Sequence, residues 1–500
     1  MMRRLSISLL LLAFVVACNP ENKPSSDTPV APQAISLSVS TWDAPQAGGS
    51  LELTVSAPSR PRFTLPEGVT LTDGTFKDYK ITVTLTVTAN NNYEVRSGEV
   101  VIASTGVPSV TLPLSQAGLQ KPVVPESGKD AAGWENAASA ALNMGTGWNL
   151  GNTLESNSGD VDHMWLEAWS DRSPSAYETA WGQPVTTRAL IHMFKEAGFG
   201  AIRVPVTWYP HMGTITVDGD GHWDMSTWTG YDVDPVWMAR VKEVVDYVMD
   251  EGLYCVLNVH HDTGDASTAW LRADEAIYVA SRERFCALWQ QIATTFADYG
   301  EKLLFESFNE MLDAQGTWNY STAQAHEVIN RYNADFVATV RATGGNNEHR
   351  NLVLNTYCAG SLPQVLGAYR LPEDKIEGHL LAEVHSYAPY LFAFDVEASQ
   401  AKTVFDDWCA REVKAQIDNV YEYLVSKGIP CIIGEYGCTS ARADGEIAKQ
   451  LACYISHAAQ YGIPCFCWML LSDGADRSVP TWTKPSLKDA IIQAYNESLP

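Results

Sequence analysis

The chain has 500 residues, of which 46% are hydrophobic and 19% are charged, a composition typical of a globular protein with a sizeable core. Its formal net charge of −25 disfavours nucleic acid and anionic membrane surfaces as partners, because both would repel it. A neutral polysaccharide is compatible with this charge, although the charge alone does not identify one.

The first 18 residues have the features of a bacterial lipoprotein signal peptide. Arg3 and Arg4 give a positive start, and residues 5–16 form an apolar segment that is too short to span a membrane. Residues 15–18, with the sequence Val-Val-Ala-Cys, resemble a lipobox. The resemblance implies lipidation of Cys18 and anchoring in the bacterial outer membrane, at the cell surface. The alternative is an ordinary signal peptide with a cysteine there by chance.

Nine further cysteines lie between Cys255 and Cys467, and because nine is odd, at least one is unpaired. Several fall in apolar, strand-like segments, where a thiol behaves as a small buried apolar group. We therefore predict few or no disulfides, although an exported protein could form them.

Residues 19–33 are rich in proline, serine and asparagine, which predicts a flexible tether. Short alternating segments follow within residues 34–118 and predict a small all-β sandwich: residues 36–39, 51–55, 81–87, 99–102 and 109–114. Residues 92–102 and 114–118 resemble the BACON domain, an immunoglobulin-like module that commonly precedes catalytic domains in Bacteroidetes glycan-degrading enzymes. Five aromatic residues could stack on a sugar, but we favour a spacer role: Trp42, Phe63, Phe76, Tyr79 and Tyr93. Residues 119–130 contain two prolines and are predicted to be a linker.

Residues 131–500 carry fifteen of the sixteen tryptophans and all eleven histidines, so binding chemistry is concentrated there. Strand-like and helix-like segments alternate, which predicts an α/β fold of the (β/α)8 TIM-barrel type. The predicted strands lie near residues 144–150, 199–206, 253–259, 302–308, 351–356, 379–384, 430–434 and 464–468. The predicted helices span residues 187–197, 235–251, 281–299, 321–342, 410–427, 444–461 and 485–496, and the segment 356–379 gives the weakest helix signal.

Two of the predicted strands end in a glutamate. The apolar run at residues 302–308 leads into Asn309 and Glu310, and a second apolar run leads into Glu435. In a (β/α)8 barrel, the carboxyl ends of the strands are where catalytic residues project. Either glutamate alone could be half of a structural ion pair with an arginine. Together they are the minimum equipment for glycoside hydrolysis.

Most of the other predicted strands also end in residues that carry chemistry: Asn149, Arg203, His260, His261, His385, Tyr387 and Trp468. The sequence His260-His261-Asp262 could suggest a metal site. However, adjacent side chains on a strand point to opposite faces, and no cysteine lies close by in sequence to complete a site. We therefore predict no metal and no other cofactor.

In order and residue type, these strand ends resemble glycoside hydrolase family 5, over about residues 141–490. The segments 147–155 and 180–187 resemble subfamily 4, which consists mostly of endo-β-1,4-glucanases and xyloglucanases. The family usually has proline or valine after its Asn-Glu pair, whereas this chain has Met311, which puts the local loop conformation in doubt. The resemblance implies a retaining mechanism, with Glu310 as the general acid/base and Glu435 as the nucleophile.

The resemblance also implies roles for the surrounding residues. Arg203 and Tyr387 are expected to contact Glu435, and His385 is expected near Glu310. Asn309 is expected to bind the sugar 2-hydroxyl, His260 other hydroxyls, and Trp468 the face of the reacting sugar; Asn149 and His261 complete the predicted substrate-binding set. Four further tryptophans are candidates for stacking on flanking sugars, although core packing explains each at least as well: Trp165, Trp181, Trp208 and Trp318.

Three functions remain open at this point. The first is a retaining endo-β-1,4-glucanase, with xyloglucan as the expected polysaccharide partner; the second is a β-mannanase with the same machinery. The third is a surface glycan-binding lipoprotein with an inactive barrel, which the presence of both glutamates disfavours. Small residues at 156, 158 and 159 would leave the cleft open to substituted glucans. We expect a monomer that contacts the membrane only through its N-terminal lipid.

Overall fold

The computed structural model of the protein describes residues 29–158, 165–396, 400–468 and 474–499. The predicted signal peptide, with Cys18, lies outside these residues. The chain forms two compact units that divide between Lys121 and Pro122, inside the predicted linker. Among the described residues, no helix combines the length and the apolar character needed to cross a bilayer.

The N-terminal unit contains eight strands: β1 (Ser36–Leu37), β2 (Trp42–Ala44), β3 (Gly49–Ser56), β4 (Arg62–Thr64), β5 (Val69–Thr72), β6 (Lys80–Val87), β7 (Arg96–Ala103) and β8 (Val110–Gln116). They form two sheets, ordered β1–β3–β6–β5 and β2–β8–β7–β4. The strands alternate apolar and polar residues, as strand geometry requires for a two-sheet core. In β6, every second residue is apolar and faces a core shared by both sheets.

Most aromatic side chains of the N-terminal unit pack in or against its hydrophobic core. Trp42 is only 5% exposed, and Phe63 and Phe76 pack against the same cluster. The expectation that Trp42 could stack on a sugar is therefore wrong. Tyr93, which is 42% exposed, remains available at the surface.

The strands of the second unit are, in chain order, β9 (Thr146–Asn149), β10 (Ala201–Val204), β11 (Met212–Val217), β12 (Trp223–Val233), β13 (Tyr254–Asn258), β14 (Leu303–Glu306), β15 (Leu352–Asn355), β16 (Leu380–His385), β17 (Cys431–Tyr436), β18 (Cys465–Cys467), β19 (Ala475–Asp476) and β20 (Thr481–Trp482). Eight of them, β9, β10 and β13 to β18, close into a parallel barrel. The predicted (β/α)8 fold is confirmed.

The helices are α1 (Ala137–Met144), α2 (Trp165–Trp169), α3 (Pro174–Glu178), α4 (Arg188–Ala197), α5 (Pro235–Asp250), α6 (Glu275–Thr295), α7 (Ala323–Ala342), α8 (Pro363–Ala368), α9 (Tyr390–Ala393), α10 (Asp407–Tyr423), α11 (Asp444–Ala459) and α12 (Pro485–Ser498). Helix α6 begins earlier than the predicted residue 281, because the Asp274 carboxylate accepts hydrogen bonds from the first free N–H groups of the helix.

The interior of the barrel is layered, because strand residues two apart face the same way. A lower layer is apolar and is closed from below by α1, whose alanines pack beneath it: Ala201, Val256, Leu304, Val353, Leu381, Ile432 and Phe466. A polar layer lies toward the carboxyl ends, and on five of the strands its residue comes two positions after the apolar one: Asn149, Arg203, Asn258, Glu306, Asn355 and Glu383. The strands therefore lift a set of buried charges to the mouth of the barrel.

Several elements of this unit were not predicted. The loop after β10 contains the hairpin β11–β12, and short helices α2 and α3 lie in the loop after β9. Trp223 of the hairpin donates a hydrogen bond to Ser158 at 2.7 Å and packs edge-on against Tyr209. The hairpin thereby joins the loops after the first and second barrel strands.

Among the described residues, the nine cysteines from Cys255 to Cys467 form no disulfide. Seven are buried, and Cys255, Cys431, Cys465 and Cys467 lie within barrel strands. These thiols pack as small apolar groups of the barrel wall.

Candidate active site

Arg203 occupies the centre of the polar layer and uses every one of its N–H groups on protein oxygens. Nε and Nη2 donate to the two carboxylate oxygens of Glu306 at 2.6 and 2.8 Å. Nη1 donates to Asn149 Oδ1 at 3.0 Å and to Glu435 Oε1 at 2.7 Å, and Nη2 also donates to Asn309 Oδ1 at 2.9 Å. A fully buried guanidinium requires such partners, since leaving it unpaired would be strongly destabilising.

Asn149 is predicted to bind substrate, but the structure gives its side chain a different environment. The residue is 1% exposed, and its Nδ2 donates to the carbonyl of Gly434 at 2.9 Å while its Oδ1 accepts from Arg203. Both ends of the amide therefore have protein partners. Asn149 fixes Arg203 relative to the strand that carries Glu435.

Glu435 is held as an anion at the end of β17. Arg203 donates to its Oε1, and the Tyr387 hydroxyl donates to its Oε2 at 2.8 Å. Burial opposes the charge, but the positive charges of His385 and Arg203 and these two hydrogen bonds outweigh it and lower the pKa of Glu435. A carboxylate that stays ionised below neutral pH can act as a nucleophile.

Glu310 faces Glu435 from the loop after β14. Its Oε1 lies 2.8 Å from Nδ1 of His385, and its side chain remains 22% exposed. Burial and the nearby charge of Glu435 raise the pKa of Glu310, although the hydrogen bond from His385 opposes this shift. A carboxyl that keeps its proton near working pH can act as an acid. One oxygen of each carboxyl and a ring nitrogen of His385 all lie within 4.8 Å of one another.

His260 and Trp468 form a flat pair beside the carboxyls. Their rings stack with centroids 5.6 Å apart and planes 6° apart. Asn258 Nδ2 donates to Nδ1 of His260 at 3.0 Å, and burial lowers the pKa of this histidine, so Nε2 carries the single proton. Gly151 is required beneath Trp468, because a Cβ there would come within 2.8 Å of the indole.

The remaining predicted aromatic and histidine residues separate into buried and accessible groups. Trp208 is fully buried and donates to the carbonyl of Asn258 at 3.0 Å, so it is a packing residue and not a stacking candidate. His261 lies against Trp181, with ring centroids 5.3 Å apart. Trp165 and Trp318 are 39% and 44% exposed and remain candidates for stacking on sugars.

Ser156 and Ser158 do not open the cleft as expected. Both are buried, and Ser158 is covered by the indole N–H of Trp223. The sequence pattern gave no sign of this hairpin residue. Residue 159 lies outside the described residues.

Asp262 has a structural role in the segment that suggested a metal. Its oxygens accept hydrogen bonds from the backbone of Trp208 and Tyr209 at 2.8 and 2.9 Å and from the Trp270 indole at 2.7 Å. Within the described ranges, two groups of three ligand-type side chains do converge. One is the exposed hairpin tip Asp218, Asp220 and His222, and the other is Glu310, His385 and Glu435 themselves.

Four polar residues of the site escaped the sequence reasoning: Asn258, Glu306, Asn355 and Glu383. Each lies inside one of the longer strands predicted from the sequence and not at its predicted end, so each looked like an isolated polar residue in an apolar run. The signal that could have found them is their shared position, two residues beyond the apolar layer.

A (β/α)8 barrel with a buried cationic cluster and two facing carboxyls of opposite pKa shift at its carboxyl end has the arrangement expected of a glycoside hydrolase. The model of the family described as Cellulase (glycosyl hydrolase family 5) matches residues 167–474. The chain belongs to glycosyl hydrolase family 5.

Similar proteins support this membership over more than two thirds of the chain. Endoglucanase A of Ruminococcus albus is 35% identical over 362 residues, which cover 70% of this chain and 90% of that protein. A family 5 enzyme from Prevotella bryantii, solved with the xyloglucan tetradecasaccharide XXXGXXXG, is 39% identical, with a TM-score of 0.63, covering 73% of this chain and 99% of that one. A xyloglucan-specific endo-β-1,4-glucanase from a metagenomic library, solved with cellotriose, is 32% identical, with a TM-score of 0.61, covering 71% and 98%.

Proposed function

We propose that the protein is a retaining endo-β-1,4-glucanase that prefers xyloglucan, with Glu310 as the acid/base and Glu435 as the nucleophile. The observation that carries the proposal is the closeness of these two carboxyls, whose nearest oxygens lie within 4.8 Å. Carboxyls about 5–5.5 Å apart are typical of retaining enzymes, whereas inverting enzymes need about 6.5–9.5 Å to place a water molecule.

In the first half-reaction, the Glu310 carboxyl gives its proton to the glycosidic oxygen as the bond to C1 breaks. A Glu435 oxygen attacks C1 from the other face and forms a glycosyl ester. Arg203 and Tyr387 hold Glu435 in a fixed orientation, so little reorganisation is needed. In this proposal His260, with its proton on Nε2, donates a hydrogen bond to a hydroxyl of the sugar that stacks on Trp468.

The second half-reaction uses the same two residues in exchanged roles. Once Glu435 is esterified, its negative charge no longer raises the pKa of Glu310, so Glu310 is stable as a carboxylate. Glu310 then takes a proton from a water molecule that attacks C1, and the ester breaks. Both carboxyls return to their initial protonation states.

The choice of xyloglucan draws on the solved neighbours, because one was crystallised with a xyloglucan oligosaccharide and another is described as xyloglucan-specific. Initial rates on xyloglucan, carboxymethylcellulose, lichenan and galactomannan test it. We expect the highest kcat/KM on xyloglucan and little action on galactomannan. A preference for carboxymethylcellulose or lichenan would contradict the assignment of xyloglucan as the preferred substrate. Galactomannan as the best substrate would contradict the glucanase assignment. Tight binding of a glucan without its hydrolysis would contradict the proposal that the protein is an enzyme.

We further propose that Cys18 is lipidated and anchors the protein in the outer membrane, with the sandwich as a spacer. The support is the lipobox-like sequence at residues 15–18. Metabolic labelling with a palmitate analogue should mark the full-length protein and not the Cys18→Ala variant. Equal labelling of the wild-type protein and the Cys18→Ala variant would contradict lipidation of Cys18.

A further inference from the structure

Glu383 is a buried carboxyl in the polar layer to which the mechanism above gives no role. It is fully buried on β16, directly below His385. Its Oε1 lies 3.3 Å from Nε2 of His385 and 3.4 Å from Nε of Arg203, and its Oε2 accepts from Asn355 Nδ2 at 3.4 Å. A Cβ on Gly434 would lie 1.6 Å from this carboxyl, so the neighbouring strand leaves space for it only by having glycine there.

His385 therefore bridges two carboxyls through its two ring nitrogens. Nδ1 contacts Glu310 at 2.8 Å, and Nε2 contacts Glu383 at 3.3 Å. Nδ1 also lies 3.6 Å from Glu435. Ionisation of Glu383 places a negative charge beside Nε2 of His385. This charge weakens the effect of the His385 imidazolium on Glu310.

The charges in this layer do not balance if every carboxyl is ionised. Glu306 and Glu435 are both bonded to Arg203, so two negative charges already face one guanidinium. An imidazolium at His385 makes the set neutral, provided that Glu310 and Glu383 each hold a proton. An ionised Glu383 would add a fully buried charge that Arg203 and His385 neutralise only in part.

We propose that Glu383 is a second proton-holding carboxyl of the active site, which ionises as the pH rises and then partly neutralises the His385 imidazolium, so that Glu310 keeps its proton. The proposal rests on the acid/base role of Glu310 proposed above. It makes Glu383 a positioning residue, since it acts on the reacting groups only through His385.

The electrostatics of the neighbours agree with this assignment. Burial and the charge of Glu306 raise the pKa of Glu383 to about 7, against the lowering effects of Arg203 and His385. Burial opposes the charge of His385, but Glu435, Glu310 and Glu383 together raise its pKa to about 10. The other titratable groups that Glu383 influences, Cys431 and Tyr369, stay neutral because burial raises both pKa values well above the ordinary range.

Ionisation of Glu383 should affect the alkaline side of the pH profile of kcat/KM. Below neutral pH, Glu383 holds its proton and the imidazolium acts undiminished on Glu310, lowering its pKa. As Glu383 ionises, its negative charge offsets that imidazolium, so the pKa of Glu310 rises when the acid is most at risk of deprotonation. Glu383 thereby extends the pH range in which Glu310 is an acid.

The Glu383→Gln variant tests this directly, because glutamine keeps the shape and remains neutral at all pH values. Glu435 and Glu310 still face His385, so the imidazolium persists without its counter-charge. We expect the alkaline limb of kcat/KM on a soluble glucan to move to lower pH by roughly one unit, while the acid limb stays in place. An alkaline limb that stays in place or moves to higher pH would overturn the proposal.

Two controls separate this effect from a loss of packing. Glu135→Gln removes a buried carboxyl near the start of β13, where Glu135 accepts from Tyr254 at 2.7 Å, and should move neither limb. A dinitrophenyl glycoside needs no protonation of its leaving group, so its cleavage should show no alkaline limb in either wild type or Glu383→Gln. A shift that persists on this substrate would contradict an effect through the acid.

A second measurement covers the case in which Glu383→Gln does not fold. Nitrogen-15 NMR of the imidazoles in the wild-type protein, with His385 identified through His385→Gln, should show both ring nitrogens protonated beyond pH 8. A neutral His385 at that pH would overturn the proposal. If the mechanism fails instead, the alanine variants of Glu310 and Glu435 remain active, whereas failure of the Glu383 proposal leaves them inactive.

Discussion

Arg203 couples the two sides of the candidate active site, because its five N–H groups reach Asn149, Glu306, Asn309 and Glu435 at once. Glu435 consequently experiences a cation and two hydrogen bonds, whereas Glu310 experiences burial and a like charge. The same residue type thus acquires opposite pKa shifts from its surroundings. In the proposed mechanism, this asymmetry lets Glu310 donate a proton while Glu435 attacks.

At this scale, we predict that Glu310→Ala lowers kcat/KM on glucan by about 10²- to 10⁴-fold, since it removes the proton donor and little packing. Turnover of an activated aryl glycoside should be recovered by azide, which attacks the glycosyl ester without needing a base. Glu435→Ala should be inactive and should give no such recovery with retained anomeric configuration. Near-native turnover by either folded variant would show that the roles are assigned wrongly.

Helix α9 extends the candidate active site outward from Glu435. Arg442 donates to the carbonyls of Phe392 at 3.0 Å and Asp395 at 2.5 Å, which fixes this short helix. Phe394 packs edge-on against Tyr387, and Tyr390, 67% exposed, stacks on Phe394 with ring centroids 5.7 Å apart. Tyr387, Phe394 and Tyr390 therefore form a continuous aromatic surface that runs from Glu435 to solvent.

We predict that Tyr390→Ala raises KM for long glucans by about 3- to 10-fold and leaves kcat nearly unchanged, because one aromatic contact is worth about 0.5–1.5 kcal/mol. Tyr93→Ala, which removes an exposed tyrosine from the sandwich, is the matched control and should not change KM. A fall in kcat with constant KM would show that Tyr390 acts on the chemistry and not on binding.

The strand ends were predictable because a polar residue after an apolar run is conspicuous, and Glu310, Glu435 and His385 are all found at such positions. Glu306 and Glu383 were not, because each lies inside a predicted strand, and a single acid there is recognised only when the neighbouring strands are aligned in register. The hairpin β11–β12 escaped prediction for a local reason. Its pairing is irregular at Gly213, where a Cβ would come within 2.2 Å of a backbone oxygen, so the alternation is broken.

At the scale of the whole molecule, residues 122–130 belong with the barrel unit, although their prolines indicated a linker. The Val123 N–H donates to the Tyr421 hydroxyl at 3.0 Å. Asp130 accepts from the backbone of Ala132 and Trp134 and lies 3.2 Å from His379. The contacts with Tyr421 and His379 tie the segment to residues distant in sequence.

We predict that a chain beginning at Pro122 retains full specific activity on soluble glucan, since the barrel unit keeps its own core. A chain beginning at Ala131 should also be active but should unfold a few degrees lower, because it loses the contacts of Val123 and Asp130. Thermal unfolding of both, followed by circular dichroism, checks this. Equal midpoints would contradict a stabilising role for the segment, and an inactive Pro122 chain would place the sandwich in the site.

Glu435 is proposed to attack the sugar directly, and the anomeric configuration of the first product tests this step. Proton NMR during the first minutes of xyloglucan hydrolysis, before mutarotation, distinguishes the two anomers of the new reducing end. Double displacement by Glu435 and then water predicts that the β-anomer appears first. Initial release of the α-anomer would show that water attacks in a single displacement, and it would contradict the role of Glu435 as nucleophile.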